Sequence, residues 1–148
     1  MLDHAAIVQG KSVLDLATGS GLVGIAAMTA GAKRVRAADI DPFACAAARL
    51  NAQANAVELD VTDEDLLQGK PALFDVILVG DLFYEKALAE RVQIWLGEAK
   101  RHGAEILIGD PGRSYLPKSA LAHVIAYNVP VTRELEDAEI KRTAVWRL

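Results

Sequence analysis

A turn of small residues follows the first apolar run, in the stretch "VLDLATGSGLVGIAA" from Val13 to Ala27. Gly19 and Gly21 let a ligand approach the backbone closely, and the helix that starts near Gly21 offers unpaired amides to an anion or a carboxylate. Asp39 ends the next apolar run, "RVRAAD", where a carboxylate can accept hydrogen bonds from both hydroxyls of a ribose. Together these features predict a site for a ligand that carries ribose.

Two common nucleotide fingerprints compete for this turn. Gly19, Gly21 and Gly24 match G-x-G-x-x-G, the fingerprint of dinucleotide sites, which a dehydrogenase would use. The Gly-Lys-Ser/Thr ending of a phosphate-binding P-loop does not occur in the turn. A lone glycine match is weak, because glycines of this kind also occur in ordinary loops. The identity of the ligand therefore depends on the rest of the chain.

The elements that must position these residues alternate along the chain. Short runs rich in Val, Ile and Leu are separated by longer stretches typical of helices, which predicts a parallel sheet. The predicted strands are Val13–Ala17, Val35–Asp39, Val57–Val61, Val76–Val79 and Glu105–Ile108. A parallel sheet binds ligands beyond the carboxyl ends of its strands, so the turn and Asp39 should lie at one edge.

Helices are predicted between these strands. The first, about Gly21–Ala30, carries no charge, so we expect it to be buried on nearly all sides. The second starts at "DIDPFA", where Asp41 can cap the free amides and Pro42 needs no donor. The third, about Glu85–Arg101, has an apolar stripe and a basic end. His102 follows that end and is predicted to interact with the helix dipole.

The pattern changes beyond Asp110. The segment "DPGRSYLP" is rich in turn residues, and His123–Val131 and Arg142–Leu148 have the composition of strands. Their connection, "TRELEDAEIK", is charged from Glu134 to Lys141 and is predicted to be solvated. We therefore expect an antiparallel strand pair at the edge of the sheet.

The composition allows one globular domain over residues 1–148, because this length suffices for one packed core but not comfortably for two. A formal net charge of −4 gives no basic field, so no nucleic-acid partner is expected. The sequence has neither a secretory signal nor an apolar run of membrane-spanning length, so no membrane partner is expected. Its single cysteine, Cys45, should be a buried, unreactive thiol. These features favour a cytoplasmic location.

The histidines do not form a metal or hydrolase pattern. His4, His102 and His123 are dispersed, and no Cys/His cluster or serine–histidine pair has the spacing that metal binding or hydrolysis requires. We therefore expect no metal.

The first turn resembles motif I of the seven-stranded S-adenosylmethionine-dependent methyltransferases. Its D-x-A-x-G-x-G pattern begins at Asp15, with Ala17 where that family often has its first glycine. In such enzymes the amino-acid part of the cofactor lies against the turn, where an acid suits its ammonium group and repels a phosphate. The final strand pair also matches the reversed seventh strand of the family. The resemblance implies a Rossmann-like α/β fold, S-adenosylmethionine as cofactor and S-adenosylhomocysteine as product. Such a fold is a doubly wound, mostly parallel sheet with an antiparallel C-terminal strand pair.

A second motif narrows the family. Asp81-Leu82-Phe83-Tyr84 follows the fourth strand, in "FDVILVGDLFYEKALAE", and this D-x-x-Y pattern resembles the signature of lysine methyltransferases that modify non-histone proteins. Together with "DIDPFA", "GDPGRSYLP" and "VPVTRELEDAEIKRTAVWRL", the DLFY form resembles the electron transfer flavoprotein β-subunit lysine methyltransferase family. The resemblance runs from Val13 to Leu148 and implies a protein substrate, the electron transfer flavoprotein β subunit, that carries the target lysine.

The resemblance implies cofactor-binding residues by position. The motif I positions would hold the methionine part, and Asp39 with Ile40 would hold the ribose and the adenine. Asp65 and Leu66 match the place where the adenine amino group is usually bound. Other acids in "LDVTDEDLL" compete for that role, and each is also typical of a solvated group or a helix cap. The full implied set is Asp15, Ala17, Gly19, Ser20, Gly21, Asp39, Ile40, Asp65, Leu66 and Gly80.

By the same resemblance, Asp81 and Tyr84 are the candidate catalytic residues. Methyl transfer from a sulfonium requires a neutral amine in line with the methyl carbon, so positioning supplies most of the catalysis. Asp81 would orient the amine, and Tyr84 would line its channel or donate a hydrogen bond there. The alternative is structural: Asp81 would cap the following helix and the aromatic rings would pack.

The N-terminal segment departs from the family pattern. Members normally carry a longer segment with aromatic residues that closes over the cofactor, whereas twelve residues precede Val13 here. An incomplete or late-starting chain, with an exposed pocket and weak or absent activity, is therefore expected. Two further hypotheses stay open. One is a small-molecule, nicotinamide-like N-methyltransferase, and the other is a cofactor-binding or interaction domain without activity.

Overall fold

The computed structural model of the protein describes residues 2–130 and 140–148. Within these residues, strands and helices alternate before the chain ends in two consecutive strands. The strands are β1 Ser12–Leu16, β2 Arg34–Ala38, β3 Asp60–Thr62, β4 Val76–Gly80, β5 Glu105–Asp110, β6 Ala122–Pro130 and β7 Ile140–Arg147. The α-helices are α1 Leu22–Thr29, α2 Pro42–Ala54 and α3 Lys86–Arg101, and short 3₁₀ segments cover Leu2–Ile7, Leu66–Gln68 and Lys118–Ala120.

The strands form one sheet in the order β3-β2-β1-β4-β5-β7-β6. The five strands from β3 to β5 are parallel, and β7 runs antiparallel to both β5 and β6. The chain order reverses between β1 and β4, which is where open parallel sheets bind ligands. This arrangement confirms the predicted Rossmann-like fold with an antiparallel strand pair.

The sheet is buried on both faces. Leu14 and Ile77 belong to an apolar cluster with α3, whereas Val13 and Val76 belong to a second cluster that includes Ala27 of α1. Successive residues of a strand point to opposite faces, so covering both faces requires apolar residues at successive positions; β4 has such a run from Val76 to Val79, and Asp15 interrupts the one in β1. These runs are why the central strands were predictable from the sequence.

The helix boundaries follow their capping residues. The Asp41 carboxylate accepts a hydrogen bond from the Phe43 amide at 2.8 Å, and Pro42 is the first residue of α2, as predicted. His102 is the C-cap of α3, the position that the sequence indicated. The predicted burial of Cys45 is also confirmed, since its side chain packs inside with 1% exposure.

Two predicted elements differ from the structure. The third strand is Asp60–Thr62 and not Val57–Val61, because the Val57 amide donates to the Ala52 carbonyl and closes the end of α2. Helix α1 is not buried on nearly all sides, since Leu22 is 71% exposed. Leu22 is the first residue of α1 and directly follows the turn after β1. The predicted solvated connection falls largely on residues 131–139, outside the described residues.

Candidate functional site

A cleft of about 270 Å³ opens at the carboxyl ends of β1, β2 and β4. It lies at the position where the strand order reverses, which matches the expected site of an open parallel sheet. The predicted site residues that line it are Ala17, Asp39, Ile40, Asp65, Leu66, Gly80, Asp81 and Tyr84. The structure therefore brings both predicted catalytic residues and six of the predicted cofactor residues to one cavity, whereas Asp15, Gly19, Ser20 and Gly21 are not part of its lining.

The turn between β1 and α1 has a left-handed backbone at three positions. The φ angles are 57° at Ala17, 54° at Gly19 and 83° at Gly21. Left-handed conformations suit glycine and cost an L-residue energy, so Ala17 is strained where its neighbours are not. The Thr18 amide donates to the Ala38 carbonyl at 3.0 Å, which ties the turn to the end of β2.

The three glycines of the turn have different roles. A Cβ at Gly21 would lie 3.1 Å from Ala48 of α2, and a Cβ at Gly24 would lie 3.1 Å from the Asp15 carboxylate. Both glycines are therefore explained by close packing. At Gly19 a Cβ would meet nothing within 4 Å, so that side of the turn is open. The G-x-G-x-x-G match thus reflects helix packing as well as the ligand turn.

Asp15 lies beneath the turn and is 1% exposed. Its Oδ2 accepts hydrogen bonds from the Thr18 hydroxyl at 2.5 Å and from the Gly24 amide at 2.8 Å. Burial raises the pKa of Asp15 above its ordinary value, and the charge of Asp39 adds to this effect, although the two hydrogen bonds oppose it. The structure thus places Asp15 as a support for the turn and α1 and not on the cleft wall, and its predicted contact with the cofactor ammonium stays a prediction.

Asp39 is half-buried, and its carboxylate joins the turn after β1 to the residue that precedes α2. Its Oδ2 accepts from the Gly19 amide at 2.9 Å and its Oδ1 accepts from the Asp41 amide at 3.0 Å. A carboxylate has roughly four lone-pair sites, so each oxygen keeps capacity for a ligand hydroxyl. Ser20 lies on the exposed side of the same turn, and its carbonyl accepts from Asn51 of α2 at 2.8 Å.

Asp65 caps the 3₁₀ segment Leu66–Gln68 through the Leu67 amide at 3.1 Å, and it also pairs with Arg91 Nη2 at 3.1 Å. Partial burial raises the pKa of Asp65, but the hydrogen bonds from Gln68, Arg91 and the Leu67 amide outweigh it, so the pKa lies below its ordinary value. The structure thus shows the capping role that the sequence allowed, and the predicted contact of Asp65 with the adenine amino group stays a prediction. Asp65 nevertheless lines the cleft as well.

The DLFY motif divides into buried and exposed residues. Leu82 and Phe83 are 7% and 0% exposed and belong to the core, whereas Asp81 and Tyr84 are exposed; Asp81, Leu82 and Tyr84 line the cleft. Asp81 has a left-handed φ of 50°, and its amide donates to the Gly109 carbonyl at 2.9 Å. The packed residues thus hold the two polar ones at the cavity.

The alternative role of Asp81 as a helix cap is wrong. The N-cap of α3 is Glu85, which makes no side-chain capping bond. The Asp81 carboxylate instead accepts two hydrogen bonds from Arg113, with Nε at 2.6 Å from Oδ1 and Nη2 at 2.7 Å from Oδ2. Arg113 belongs to the loop after β5, and sequence analysis assigned it no role although it lies in the quoted segment "GDPGRSYLP".

Further cleft residues were missed by sequence analysis. They are Leu16, Ala38, Glu64, Leu67, Leu82, Leu88 and Arg91. Arg91 reaches the cavity from the second turn of α3, and nothing in its sequence context marks it out from the other charged residues of the helix. Among the described residues, no group of three or more His, Cys, Asp or Glu side chains is placed to hold a metal ion. No helix in that part of the chain is long and apolar enough to cross a membrane.

The sequence is similar to those of known methyltransferases. The model of the ribosomal protein L11 methyltransferase (PrmA) family matches residues 1–90. The electron transfer flavoprotein beta subunit lysine methyltransferase of Mus musculus is 38% identical over 152 residues, which cover 99% of this chain and 60% of the mouse protein. The chain thus spans about three fifths of that relative.

Solved structures share the fold at lower identity. The tRNA (uracil-54, C5)-methyltransferase of Pyrococcus abyssi, solved with S-adenosyl-L-homocysteine, superposes with a TM-score of 0.73 at 18% identity and covers 99% of this chain and 36% of that one. The ribosomal protein L11 methylase of Lactobacillus delbrueckii gives a TM-score of 0.66 at 24% identity, over 96% and 72% of the two chains. These likenesses show the fold.

The family assignment rests on the sequence matches. The family model covers more than half of the chain, and the mouse relative matches nearly all of it. The resemblance to the electron transfer flavoprotein β-subunit lysine methyltransferases, predicted from the motifs, is confirmed by the curated relatives with that name. The chain therefore belongs to the ribosomal protein L11 methyltransferase (PrmA) family.

Proposed function

We propose that this protein is an S-adenosylmethionine-dependent N-methyltransferase that modifies a lysine of the electron transfer flavoprotein β subunit. The observation that carries the proposal is that the ribose-binding candidate Asp39 and the amine-binding candidates Asp81 and Tyr84 line the same cleft. The name of the mouse relative supports the lysine target and the protein substrate.

The residues of the cleft fit this cofactor. Asp39 offers both carboxylate oxygens at the end of β2, and Ile40 and Leu66 provide apolar walls for an adenine. Ala17 and Gly19 would hold the methionine part, because the turn has an open side at Gly19. The cofactor supplies an electrophilic methyl group, which bonds to the amine nitrogen while the C–S bond breaks and the electron pair stays on sulfur.

The cleft residues prepare the amine for this step. A lysine arrives protonated, since its unperturbed pKa is about 10.4, and the proton must pass to water before the nitrogen can react. Asp81 accepts a hydrogen bond from the remaining N–H groups and so directs the lone pair. Tyr84, which is 57% exposed, forms the side of the channel with its ring.

Methyl transfer by an Asp81→Asn variant tests the proposal. Labelled transfer to purified electron transfer flavoprotein β subunit should fall by about 100-fold, because positioning and proton handling together contribute at least that much. The affinity for S-adenosylmethionine, measured by calorimetry, should change less than about threefold, since other residues would bind the cofactor. Asp63→Asn, an exposed acid outside the cleft, is the matched control. Wild-type turnover in Asp81→Asn would remove Asp81 from catalysis.

A labelled-methyl experiment separates the competing functions. Incubating the protein with labelled cofactor and a matching cell extract should label a protein of the size of the β subunit. Label that enters only small molecules would favour the small-molecule N-methyltransferase. A protein that does not bind S-adenosylmethionine would support the domain without activity.

The proposal involves no metal, nucleic acid or membrane, and it places the protein in the cytoplasm. The net charge of −4 supports the exclusion of nucleic acid. Because no metal takes part in the proposed reaction, methyl transfer should be unchanged when a chelator is added. Loss of activity in the chelator would contradict the absence of a metal.

A further inference from the structure

The carboxylate proposed to orient the substrate amine is already held by a cation. Arg113 donates to both oxygens of Asp81, from Nε at 2.6 Å and from Nη2 at 2.7 Å. This two-bond geometry fixes the plane of the carboxylate, which a single bond would not. The pair bridges the ends of neighbouring strands, because β4 and β5 align Gly80 with Gly109.

The backbone at Arg113 is held by the carboxylate of Asp110. Its amide donates to Asp110 Oδ1 at 2.7 Å, and the Gly112 amide donates to the same oxygen at 2.6 Å. Asp110 is 1% exposed, and Leu116 buries the other end of the loop at 7% exposure. The backbone that carries the guanidinium is thus held in place by hydrogen bonds to a buried carboxylate.

Stability does not explain this arrangement. The Asp81 and Arg113 side chains are 47% and 39% exposed, and ion pairs at such exposure contribute little to the free energy of folding. Asp81 also adopts a left-handed backbone, a conformation that aspartate tolerates only at some cost. A local cost with little return in stability is typical of functional sites.

We infer that Arg113 is a positioning residue for methyl transfer, which fixes the Asp81 carboxylate and neutralises its charge so that the substrate lysine reacts as a neutral amine. The inference rests on the proposed function. An unpaired carboxylate beside the lysine would favour the ammonium form, which has no lone pair and cannot attack a methyl group. A paired carboxylate keeps lone pairs for the amine N–H groups without holding the extra proton.

Other charges around the cleft make this neutralisation necessary. Among the described residues, acidic groups outnumber basic ones around the cleft and the loop after β5. The acidic groups are Asp39 after β2, Glu64 and Asp65 after β3, and Asp110 at the end of β5, and the basic ones are Arg91 from α3 and Arg113, with Tyr84 as a further titratable group. Because Arg91 pairs with Asp65, the described cation that balances Asp81 is Arg113. Removing it leaves an excess of negative charge at the amine.

The pH dependence of kcat tests this inference. In Arg113→Gln, kcat at pH 7 should fall about tenfold and the rise of kcat with pH should move up by about one unit, because one unit of amine pKa is a tenfold change in the neutral fraction. Arg113→Lys keeps the positive charge but loses the two-bond geometry. Its kcat should therefore rise at the same pH as in the wild type, while the value of kcat is lower. Affinity for S-adenosylmethionine should be unchanged in both variants.

Two further variants separate charge from folding. Arg36→Gln is the matched control, because the Arg36–Asp60 pair has similar exposure, 39% and 61%, and lies outside the cleft. Its pH profile should equal that of the wild type. In Asp81→Asn/Arg113→Gln both charges are removed, so the profile should return towards the wild-type pH even though kcat stays low.

Each outcome decides between the inference and the proposed function. A pH profile of kcat in Arg113→Gln equal to that of the wild type, or a kcat above that of the wild type, would overturn the inference. The proposed function would still stand if the wild-type protein methylates the lysine. Absence of lysine methylation by the wild-type protein would overturn both.

Discussion

At the scale of single residues, Asp15 and Asp65 respond to pH in opposite directions. The folded-state pKa of Asp15 lies above its unfolded value, chiefly because of burial. Its contribution to stability is therefore fully present below the unfolded pKa and is lost as the pH rises through the folded pKa. The folded pKa of Asp65 lies below its unfolded value, so its contribution is present above the unfolded pKa and is lost as the pH falls.

Asp15→Asn should therefore become more stable relative to the wild type as the pH rises from about 4 to 7. Asparagine keeps an acceptor oxygen for Thr18 and Gly24 and removes the buried charge. Urea unfolding at several pH values measures the difference. Asp65→Asn is a control with the opposite pH dependence, since its loss of stability relative to the wild type should become smaller as the pH falls. A constant difference for Asp15→Asn across this range would show that the carboxyl titrates alike in both states.

Asp39→Ala should weaken S-adenosylmethionine binding by about 1.5–3 kcal/mol, the value of charge-assisted hydrogen bonds. Part of the loss should come from the turn, because Asp39 also holds the Gly19 amide. Asp41→Ala is the control: it removes the cap of α2, so it should lower stability by about 1 kcal/mol and leave affinity unchanged. Calorimetry and thermal unfolding of the same samples separate the two effects. Unchanged affinity in Asp39→Ala would remove Asp39 from the site.

At the scale of elements, the left-handed turn after β1 predicts a stabilising change. Ala17 has a φ of 57°, which glycine adopts without steric cost, so Ala17→Gly should raise the free energy of unfolding by about 1 kcal/mol. Ala56, with a φ of 54° after α2 and outside the lining of the cleft, is the matched control, and its change to glycine should raise the free energy of unfolding equally. Destabilisation of both variants would show that the entropy of the unfolded chain outweighs the backbone strain.

The contact between α1 and α2 predicts that adding a methyl group at Gly21 destabilises the protein. Gly21→Ala places a Cβ 3.1 Å from Ala48 in a left-handed backbone, so unfolding should become easier by roughly 2 kcal/mol. Gly97→Ala in α3 adds the same atom in open space and should stabilise the helix by about 1 kcal/mol. Melting temperatures of the two variants should shift in opposite directions.

Elements with a strong local signal were predicted well. The central strands β1 and β4 are rich in Val, Ile and Leu, and α2 has a capping acid and a proline at its start. The third strand was misplaced because it is three residues long and half-exposed, so it has no apolar run of its own. The exposure of Leu22 was missed because the absence of charge in α1 says nothing about what covers it.

At the scale of the whole molecule, the sequence was sufficient to predict which site residues share the cleft. It was not sufficient to predict the contacts that these residues make. The carboxyl ends of parallel strands share an edge, so Asp39 and Asp81 had to converge on the cleft once the sheet was recognised. The pairing of Asp81 with Arg113, 32 residues apart, depends on the loop after β5. The inward turn of Asp15 depends on the close approach of α1 at Gly24. Neither contact has a local sequence pattern.

The position of β7 between β5 and β6 also governs how the sheet is completed. The chain makes β6 first, yet β6 pairs with β7, and β5 needs β7 as well. A partly folded chain in which β7 has not yet paired therefore carries an open row of peptide groups along β5 and a strand, β6, without a neighbour. Pairing of residues 140–147 closes both edges at once, so the form without β7 in place exposes strand edges that are prone to aggregation.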